Sequence, residues 1–248
     1  MDLPPYFDLH VFDSVSSTSV VAKELAEAGA AEGSLVWAKQ QESGVGRRGR
    51  SWSSPEGNLY CSLLLRPECN PLEGACISFL IAVALHQSVS DALPDHNGVR
   101  VKWPNDVLID GKKTCGILLE SKTRPDGKLD YLVVGTGVNI KTFPAQTDGL
   151  PATSVAAQGG RTSVERMLSS YTHNFLELYM KWKSDGFASI RKDWLSRAIG
   201  LGGRITVKLS DRTLEGIFIG LDDSGALILS LDTGETKLIT AGEIFIMS

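Results

Sequence analysis

The spacing of hydrophobic and polar positions changes along the chain, and each change predicts a different element. Apolar residues recur every three or four positions within Leu72–Leu93 and again within Ser163–Lys183, which is the spacing of amphipathic helices. Ser17 and Thr18 precede a shorter run of the same kind and Gly29 follows it, which predicts a capped helix between them. Helical segments are therefore predicted near the start, in the middle and near the end of the first two hundred residues.

Short runs of β-branched and apolar residues between turn signals predict strands. In the first part of the chain these runs are Ser34–Lys39, Leu59–Leu65, Val99–Trp103, Val107–Ile109, Thr114–Glu120 and Asp130–Ile140. After the glycine cluster at 200–203 only short strands follow, at Arg204–Leu209, Leu214–Leu221, Ala226–Leu231, Thr236–Ile239 and Glu243–Met247. The pattern predicts an α+β fold: a mixed β-sheet domain packed with helices over residues 1–199, then a small SH3-like β-barrel over 200–248.

Composition excludes several classes of protein. Hydrophobic residues make up 42% and charged residues 22% of the 248 positions, as in ordinary soluble globular proteins. The formal net charge of −4 gives the whole molecule no attraction for nucleic acid or for an anionic membrane. The longest apolar stretch, around Ala75–Leu85, is too short to span a bilayer, and the N-terminus lacks the pattern of a signal peptide. We expect a cytoplasmic protein.

Cysteine spacing adds to that expectation. Cys61, Cys69, Cys76 and Cys115 form no C-x-x-C pair and no regular framework, so neither a zinc site nor a set of disulfides is predicted. Buried free thiols in a reducing compartment fit best.

A long glycine- and arginine-rich loop is the first candidate for chemistry. Gly44–Trp52 carries Arg47, Arg48 and Arg50, whose planar guanidinium groups suit carboxylate or phosphate, on a backbone that glycine lets approach a ligand closely. Trp52 can cover an apolar ligand or stack on a base. Taken alone, the segment fits a solvated basic loop or an RNA-binding patch equally well.

Two further candidates lie at strand ends. Pro104 ends a predicted strand after Lys102, and Asn105 and Asp106 favour a turn, where Lys102 can neutralise phosphate and Asp106 can hold Mg²⁺. A plain turn with a surface lysine has the same pattern. In Lys113–Glu120, strand alternation places Lys113 on the face opposite Gly116, among apolar side chains.

The fourth candidate is Gly135–Asn139. Its two glycines, Gly135 and Gly137, would let a ligand lie against the strand, and Asn139 can bind ribose or phosphate. A bulge is the alternative.

These four segments, in this order, closely resemble the biotin–protein ligase family, whose marks are G-x-G-R-x-G-R, K-W-P-N-D, K-x-x-G-I-L and G-x-G-x-N. The resemblance covers nearly the whole chain and extends to the barrel near Gly242-Glu243-Ile244. Several motifs in matching order are more specific than any one of them. The resemblance implies ATP-dependent conversion of biotin to biotinyl-5′-adenylate and transfer to a lysine of a biotin carboxyl carrier domain of a carboxylase.

Residue roles follow from the same resemblance. It implies that biotin is bound by Ser17, Thr18, Gln40, Gly44, Val45, Gly46, Arg47, Lys113 and Gly116. It implies that ATP and the adenylate are bound by Arg48, Arg50, Trp52, Lys102, Asn105, Asp106 and Asn139, with Mg²⁺ near Asp106. Arg47, Lys113 and Lys102 would be the catalytic residues. We further expect Gly44–Trp52 to be mobile without ligand, because Arg47, Arg50 and Trp52 would gain partners only from the adenylate.

Two features depart from relatives in the family. Val45 stands where a well-known form of the loop has an arginine, so any role of that side chain in closing the loop is lost. The ligase motifs also start almost at residue 1, where some members carry a winged helix-turn-helix, so no binding of nucleic acid is expected. Exposed sheet edges permit a homodimer.

Two other functions remain open. A lipoate or octanoate ligase of the same fold also activates a carboxylate, although the K-W-P-N-D segment and the arginine loop favour biotin. A non-catalytic nucleotide- or RNA-binding module would use the arginine loop and the barrel as a surface. The acidic net charge and the lack of an aromatic array oppose it.

Overall fold

The computed structural model describes residues 1–147 and 149–246, in which a mixed sheet forms the centre of the larger domain. Its strand order is β1–β2–β3–β7–β6–β5–β4, with β1 and β2 parallel and the other neighbours antiparallel. The strands are β1 (Asp8–Val15), β2 (Ser34–Gln41), β3 (Leu59–Leu65), β4 (Val99–Lys102), β5 (Asp106–Ile109), β6 (Lys112–Thr123) and β7 (Leu129–Val138).

Helices cover the two faces of this sheet unequally. They are α1 (Thr18–Glu27), α2 (Pro71–Ala75), α3 (Ile77–Asp91), α4 (Val164–Asp185) and α5 (Phe187–Leu195). The buried side chains of α3, α4 and α5 join one continuous core with Leu63 and Val134 of the sheet. On the opposite face, α1 packs in a smaller cluster with Val36, Leu64 and Val133. The remainder of that second face is left for a cavity.

The smaller C-terminal domain is a five-stranded antiparallel sheet of order β11–β10–β9–β8–β12. Its strands are β8 (Arg204–Lys208), β9 (Thr213–Leu221), β10 (Leu227–Ser230), β11 (Thr236–Ile239) and β12 (Glu243–Ile246). The indole N–H of Trp103 donates to the Gly225 carbonyl at 3.1 Å, and Trp194 packs edge-on against Phe218 at 6.5 Å. The predicted α+β fold with a small C-terminal β domain is confirmed.

Most predicted elements are present, and the differences have local causes. The helix predicted for Leu72–Leu93 is two helices, separated at Cys76. Strand β1 is absent from the prediction. It is an edge strand in which no side chain is fully buried, so its alternation of apolar and polar residues is weak.

The apolar segment Pro71–Asp91 is long enough and apolar enough to cross a membrane, so the expectation that it is too short is wrong. In the fold, 67% of its most apolar window is buried. Helix α3 contacts α4, α5 and strands β4 to β6, so its composition is that of a core helix.

The four cysteines are buried and free in the part of the chain that the structure describes, which confirms the prediction of buried thiols. Burial raises the pKa of the Cys61 and Cys76 thiols to about 12. Such thiols stay protonated at neutral pH and are poor nucleophiles. None of the four cysteines lines the cavity on the second face of the sheet.

Candidate functional site

A cavity of about 990 Å³ lies on the sheet face that α1 leaves uncovered. Its floor is formed by β6 and β7, and one end is closed by the start of α1. The loop 45–53, the turn between β4 and β5, and residues 144–147 and 149–152 form its sides, and Gly242 and Glu243 of the C-terminal domain complete the rim. The four candidate segments therefore meet in one place.

Buried hydroxyl groups form the closed end of the cavity. The Thr18 hydroxyl donates to Gln41 Oε1 at 3.1 Å and lies 2.8 Å from Ser62 Oγ, which in turn lies 3.1 Å from Ser19 Oγ. Ser17 precedes α1 at its N-cap, is 4% exposed and makes no side-chain capping bond. Hydroxyl and amide groups in this arrangement can bind a small polar ring by both donating and accepting hydrogen bonds.

Gln41, rather than the predicted Gln40, lines the cavity. Its Oε1 accepts from the Thr18 backbone amide at 2.8 Å, and its Nε2 donates to Ser54 Oγ at 2.9 Å. Gln40 is exposed. The pairing of β2 with β3 ends at Ala38, whereas its pairing with β1 continues to Gln41, so the end of the strand is held on one side only.

The arginine loop is a small hairpin. Val45 and Ser51 form an isolated antiparallel bridge, the Gly46 amide donates to the Arg50 carbonyl at 2.7 Å, and the Trp52 amide donates to the Gly44 carbonyl at 2.8 Å. Gly44 does not line the cavity. A Cβ at Gly44 would stand 2.4 Å from the Trp52 carbonyl oxygen, so glycine is required for the two arms to meet.

Arg47 is fixed to the turn between β4 and β5. Its Nη1 donates to Asn105 Oδ1 at 3.0 Å, and Asn105 Nδ2 donates to the Ile117 carbonyl at 2.6 Å. Burial lowers the pKa of the Arg47 guanidinium, and the Asp106 carboxylate partly opposes this shift. The group remains charged at neutral pH because an arginine pKa starts far above it.

Trp52 covers the glycine floor. A Cβ at Gly137 would stand 2.5 Å from the Trp52 ring, and one at Gly116 would stand 2.7 Å from it. The two glycines are paired across β6 and β7, so together they form a flat surface for a ring. Arg50 also has a protein partner, Glu243, at 3.2 Å. The expectation that Arg47, Arg50 and Trp52 gain partners only from an adenylate is therefore wrong.

A β-bulge brings Lys113 to the cavity. Val107 pairs with Cys115 but Leu108 pairs with Lys113, so one extra residue of β6, Thr114, stands between the two pairs. The bulge reverses the alternation. Lys113 and Gly116 thus share a face, and the prediction that they lie opposite each other is wrong. Lys113 Nζ lies 2.6 Å from Asp106 Oδ1 and 5.5 Å from the centre of the Trp52 ring.

Lys102 is a buried cation at the end of β4. It is 2% exposed, and in the described part of the chain no carboxylate lies within ion-pair distance of it. Its Nζ lies 5.7 Å from the centre of the Phe245 ring. Burial lowers its pKa, while Asp106 and Glu243 oppose that shift. A desolvated ammonium group facing the cavity gains most from an anionic ligand.

The remaining predicted residues are close by. Val45, Gly46, Arg48, Arg50 and Asn139 line the cavity. Asn139 is also structural, because its side-chain Nδ2 donates to the Thr153 carbonyl at 3.0 Å.

Sequence reasoning missed several lining residues. They are Ser19, Gln41, Pro144–Thr147, Gly149–Ala152, Gly242 and Glu243. Ser19 and Gln41 adjoin predicted residues, whereas the others carry no local signal and reach the cavity through tertiary packing.

Comparison with known proteins identifies the family to which the chain belongs. Residues 11–139 match the model of the biotin/lipoate A/B protein ligase family, and residues 200–247 match the biotin protein ligase C-terminal domain. The chain is 38% identical over 234 residues to a biotin–[acetyl-CoA-carboxylase] ligase of Paracoccus denitrificans, covering 92% of this chain and 96% of that one. It is 34% identical to the bifunctional ligase/repressor of Bacillus subtilis, covering 92% and 71% respectively.

A solved ligase structure has a similar fold over nearly the whole chain. The biotin protein ligase of Aquifex aeolicus in complex with biotin and ATP superposes with a TM-score of 0.80 at 26% identity, covering 97% of this chain and 98% of that one.

Proposed function

Because the chain belongs to the biotin/lipoate A/B protein ligase family, we propose that it activates biotin with ATP and transfers it to a lysine of a biotin carboxyl carrier domain. One observation carries this proposal. A single cavity joins a hydroxyl-lined closed end, a flat glycine floor under Trp52, and a cluster of cations. These three parts suit, in order, the polar ureido ring, the apolar body and the reacting carboxylate of biotin with its phosphate partner.

In the first step a biotin carboxylate oxygen attacks the α-phosphorus of ATP, the bond to the bridging oxygen breaks, and pyrophosphate leaves. Two anions must approach each other. Arg47, Lys102 and Lys113 offset their repulsion and stabilise the charge on the phosphoryl oxygens. The protein supplies positioning and charge rather than a covalent intermediate, and holding the reactants in line can contribute about 7–11 kcal/mol.

Asp106 does not fit the role of a Mg²⁺ ligand that we expected from the sequence. Its carboxylate is paired with Lys113 at 2.6 Å, and the described residues contain no cluster of three metal-ligating side chains. We propose instead that Asp106 positions Lys113, and that Mg²⁺ arrives bound to the phosphates of ATP, as this ion commonly does.

In the second step the acceptor lysine, as a neutral amine, attacks the biotinyl carbonyl, and AMP leaves with the electrons of the mixed anhydride bond. Water must not reach the adenylate first. The hairpin of Gly44–Trp52 covers the floor, and its contacts to Asn105 and Glu243 hold it there. We propose that these contacts shield the adenylate until an acceptor binds.

The direct test is incubation of the protein with biotin, MgATP and a biotin carboxyl carrier domain, followed by mass spectrometry of the acceptor. We expect the mass of one biotinyl group on one lysine. Parallel reactions with lipoate or octanoate in place of biotin measure specificity for the acid. Modification by those acids and none by biotin would overturn the proposal.

A further inference from the structure

A second cavity, of about 550 Å³, opens on the C-terminal domain beside the first. It is lined by the turn between β8 and β9, by β11, and by residues 240–241, and Arg48 of the arginine loop lines both cavities. We call it the basic groove, because Arg48, Arg212 and Lys237 face it and Asp211 is the acidic residue of its lining. The groove therefore carries net positive charge on a protein whose formal charge is −4.

The cations of the basic groove are available to a partner. Arg212 Nε lies 4.0 Å from Asp211 Oδ2 and Lys237 Nζ lies 3.7 Å from Glu235 Oε1, and long exposed ion pairs of this kind bind weakly. Among the described residues, the exposed Arg48 side chain has neither a hydrogen bond nor an ion pair.

The backbone at Arg48 is unusual. Its φ of +58° lies in the left-handed region that favours glycine, and Gly49 follows in the same region. Residues in this conformation cluster at ligand-binding sites and switch regions. Here this conformation directs an arginine to the junction of the two cavities.

The lining of the basic groove includes one well-exposed apolar side chain. Leu238 is 59% exposed, and it belongs to β11, which lies at the edge of its sheet. Single exposed leucines are common on protein surfaces, so the charge of the groove, rather than Leu238, determines what the groove can bind.

The chemistry of transfer specifies the charge of that partner. The acceptor lysine must enter a cavity that already holds Arg47, Lys102 and Lys113, and like charges oppose its approach. Negative groups beside the lysine would offset this repulsion if cations at the mouth of the cavity received them. We infer that the basic groove binds acidic residues that flank the target lysine on the acceptor domain. This inference rests on the proposed function.

The test separates the two half-reactions in the full-length protein. The variant R212E/K237E reverses two charges of the groove that take no part in adenylate formation. We expect its biotin-dependent pyrophosphate burst, measured without acceptor, to equal that of the wild type. We expect its KM for the acceptor domain to rise about tenfold. We also expect its KM to increase less with salt concentration than the wild-type KM does, because the attraction that is lost is electrostatic. R161E/R166E is the matched control, because both arginines are exposed and neither lines the first cavity or the basic groove.

The possible results of this test distinguish failure of the inference from failure of the proposed function. An unchanged acceptor KM in R212E/K237E, with an intact burst, overturns the inference and leaves the proposed function standing. Absence of a burst in the wild-type protein overturns the proposed function itself. If the charge reversal lowers the burst through misfolding, the neutral variant R212Q/K237Q replaces it, with a smaller rise in KM expected. A change of oligomeric state in sedimentation, with KM unaltered, would assign the groove to a second copy of the chain and overturn the inference.

Discussion

The cavity has two walls that are built in different ways. The sheet wall consists of Lys102, Asp106 and Lys113, which stand at the ends of the neighbouring strands β4, β5 and β6, with the bulge of β6 beside Lys113. The loop wall is the hairpin Gly44–Trp52, which is attached to the rest of the protein by a few side-chain contacts. Lys102 and Asp106 are almost completely buried, whereas Arg48 and Arg50 are exposed.

The two walls therefore differ in how strongly their charges can act on a ligand. A charge held by a buried ladder keeps its position and is poorly solvated, so it acts strongly on a ligand. A charge on an exposed hairpin is screened and can move with the loop. The sheet wall is therefore suited to stabilising the transition state, and the loop wall to admitting and retaining the ligand.

The largest effect expected is that of Lys113→Ala in the sheet wall. We expect biotin-dependent pyrophosphate release to fall by about 10²–10³-fold, because one preorganised positive charge is removed from the reacting oxygens. The matched control is Lys112→Ala, since Lys112 is the preceding residue and is exposed. Lys112→Ala should unfold at nearly the wild-type temperature, whereas Lys113→Ala should unfold at a lower temperature, because the nearly buried Asp106 carboxylate loses its ion-pair partner. Equal rates for the two variants would show that the bulge does not serve catalysis.

Arg47→Ala in the loop wall should have the next largest effect. We expect a loss of about 10²-fold in adenylate formation, because a charge-assisted contact to the carboxylate and phosphate is removed. Arg47→Lys keeps the positive charge but loses the planar guanidinium group that donates to Asn105. We therefore expect its rate of adenylate formation to lie between those of the wild type and Arg47→Ala. A pyrophosphate assay over a range of biotin concentrations measures both variants. Full activity of the lysine variant would show that charge alone matters here.

The two walls also differ in how well their sequence predicted them. The residues of Lys102–Asp106 carry local signals, a proline that ends a strand and two turn formers, and all of them reach the predicted position. The glycines and arginines of the arginine loop likewise predict an anion-binding segment from the residues themselves. Such features depend on the residues themselves and their immediate neighbours.

Features that depend on pairing partners were not predictable. The bulge at Thr114 arises where β6 meets β5, and nothing in the sequence of β6 alone marks it. Gln41 lines the cavity at the end of β2, where the strand is still paired with β1 but no longer with β3, and this difference is again a property of the sheet. Glu243 reaches the arginine loop from nearly two hundred residues away, only because Trp103 and Phe218 dock the C-terminal domain onto the larger one.

Gly137→Ala tests the contact between the two walls. The added Cβ would stand 2.5 Å from the Trp52 ring, so the indole must move away from the floor. We expect biotin to bind more weakly, because the displaced ring no longer covers the floor; the overpacking itself costs about 1–3 kcal/mol of folding stability. Isothermal titration with biotin measures the change. Gly203→Ala is the control, because its Cβ would meet only ordinary contacts at 3.4 Å. Unchanged biotin affinity would mean that the Trp52 ring takes no part in the biotin site.

The smallest effect expected is that of Glu243→Gln, which removes the ion pair that holds Arg50 of the loop wall. The Arg50 side chain is half exposed, so the pair contributes at most about 1 kcal/mol, and adenylate formation should change little. The hairpin should nevertheless open more often, by up to about fivefold, since 1.4 kcal/mol corresponds to a factor of ten. Limited trypsin digestion after the loop arginines measures that opening. Glu235→Gln, which alters the Lys237 pair instead, should leave cleavage of the loop unchanged. If Glu243→Gln and wild type are cleaved at equal rates, the loop wall is held by Arg47 and Trp52 alone, and it is then more like the sheet wall than its exposure suggests.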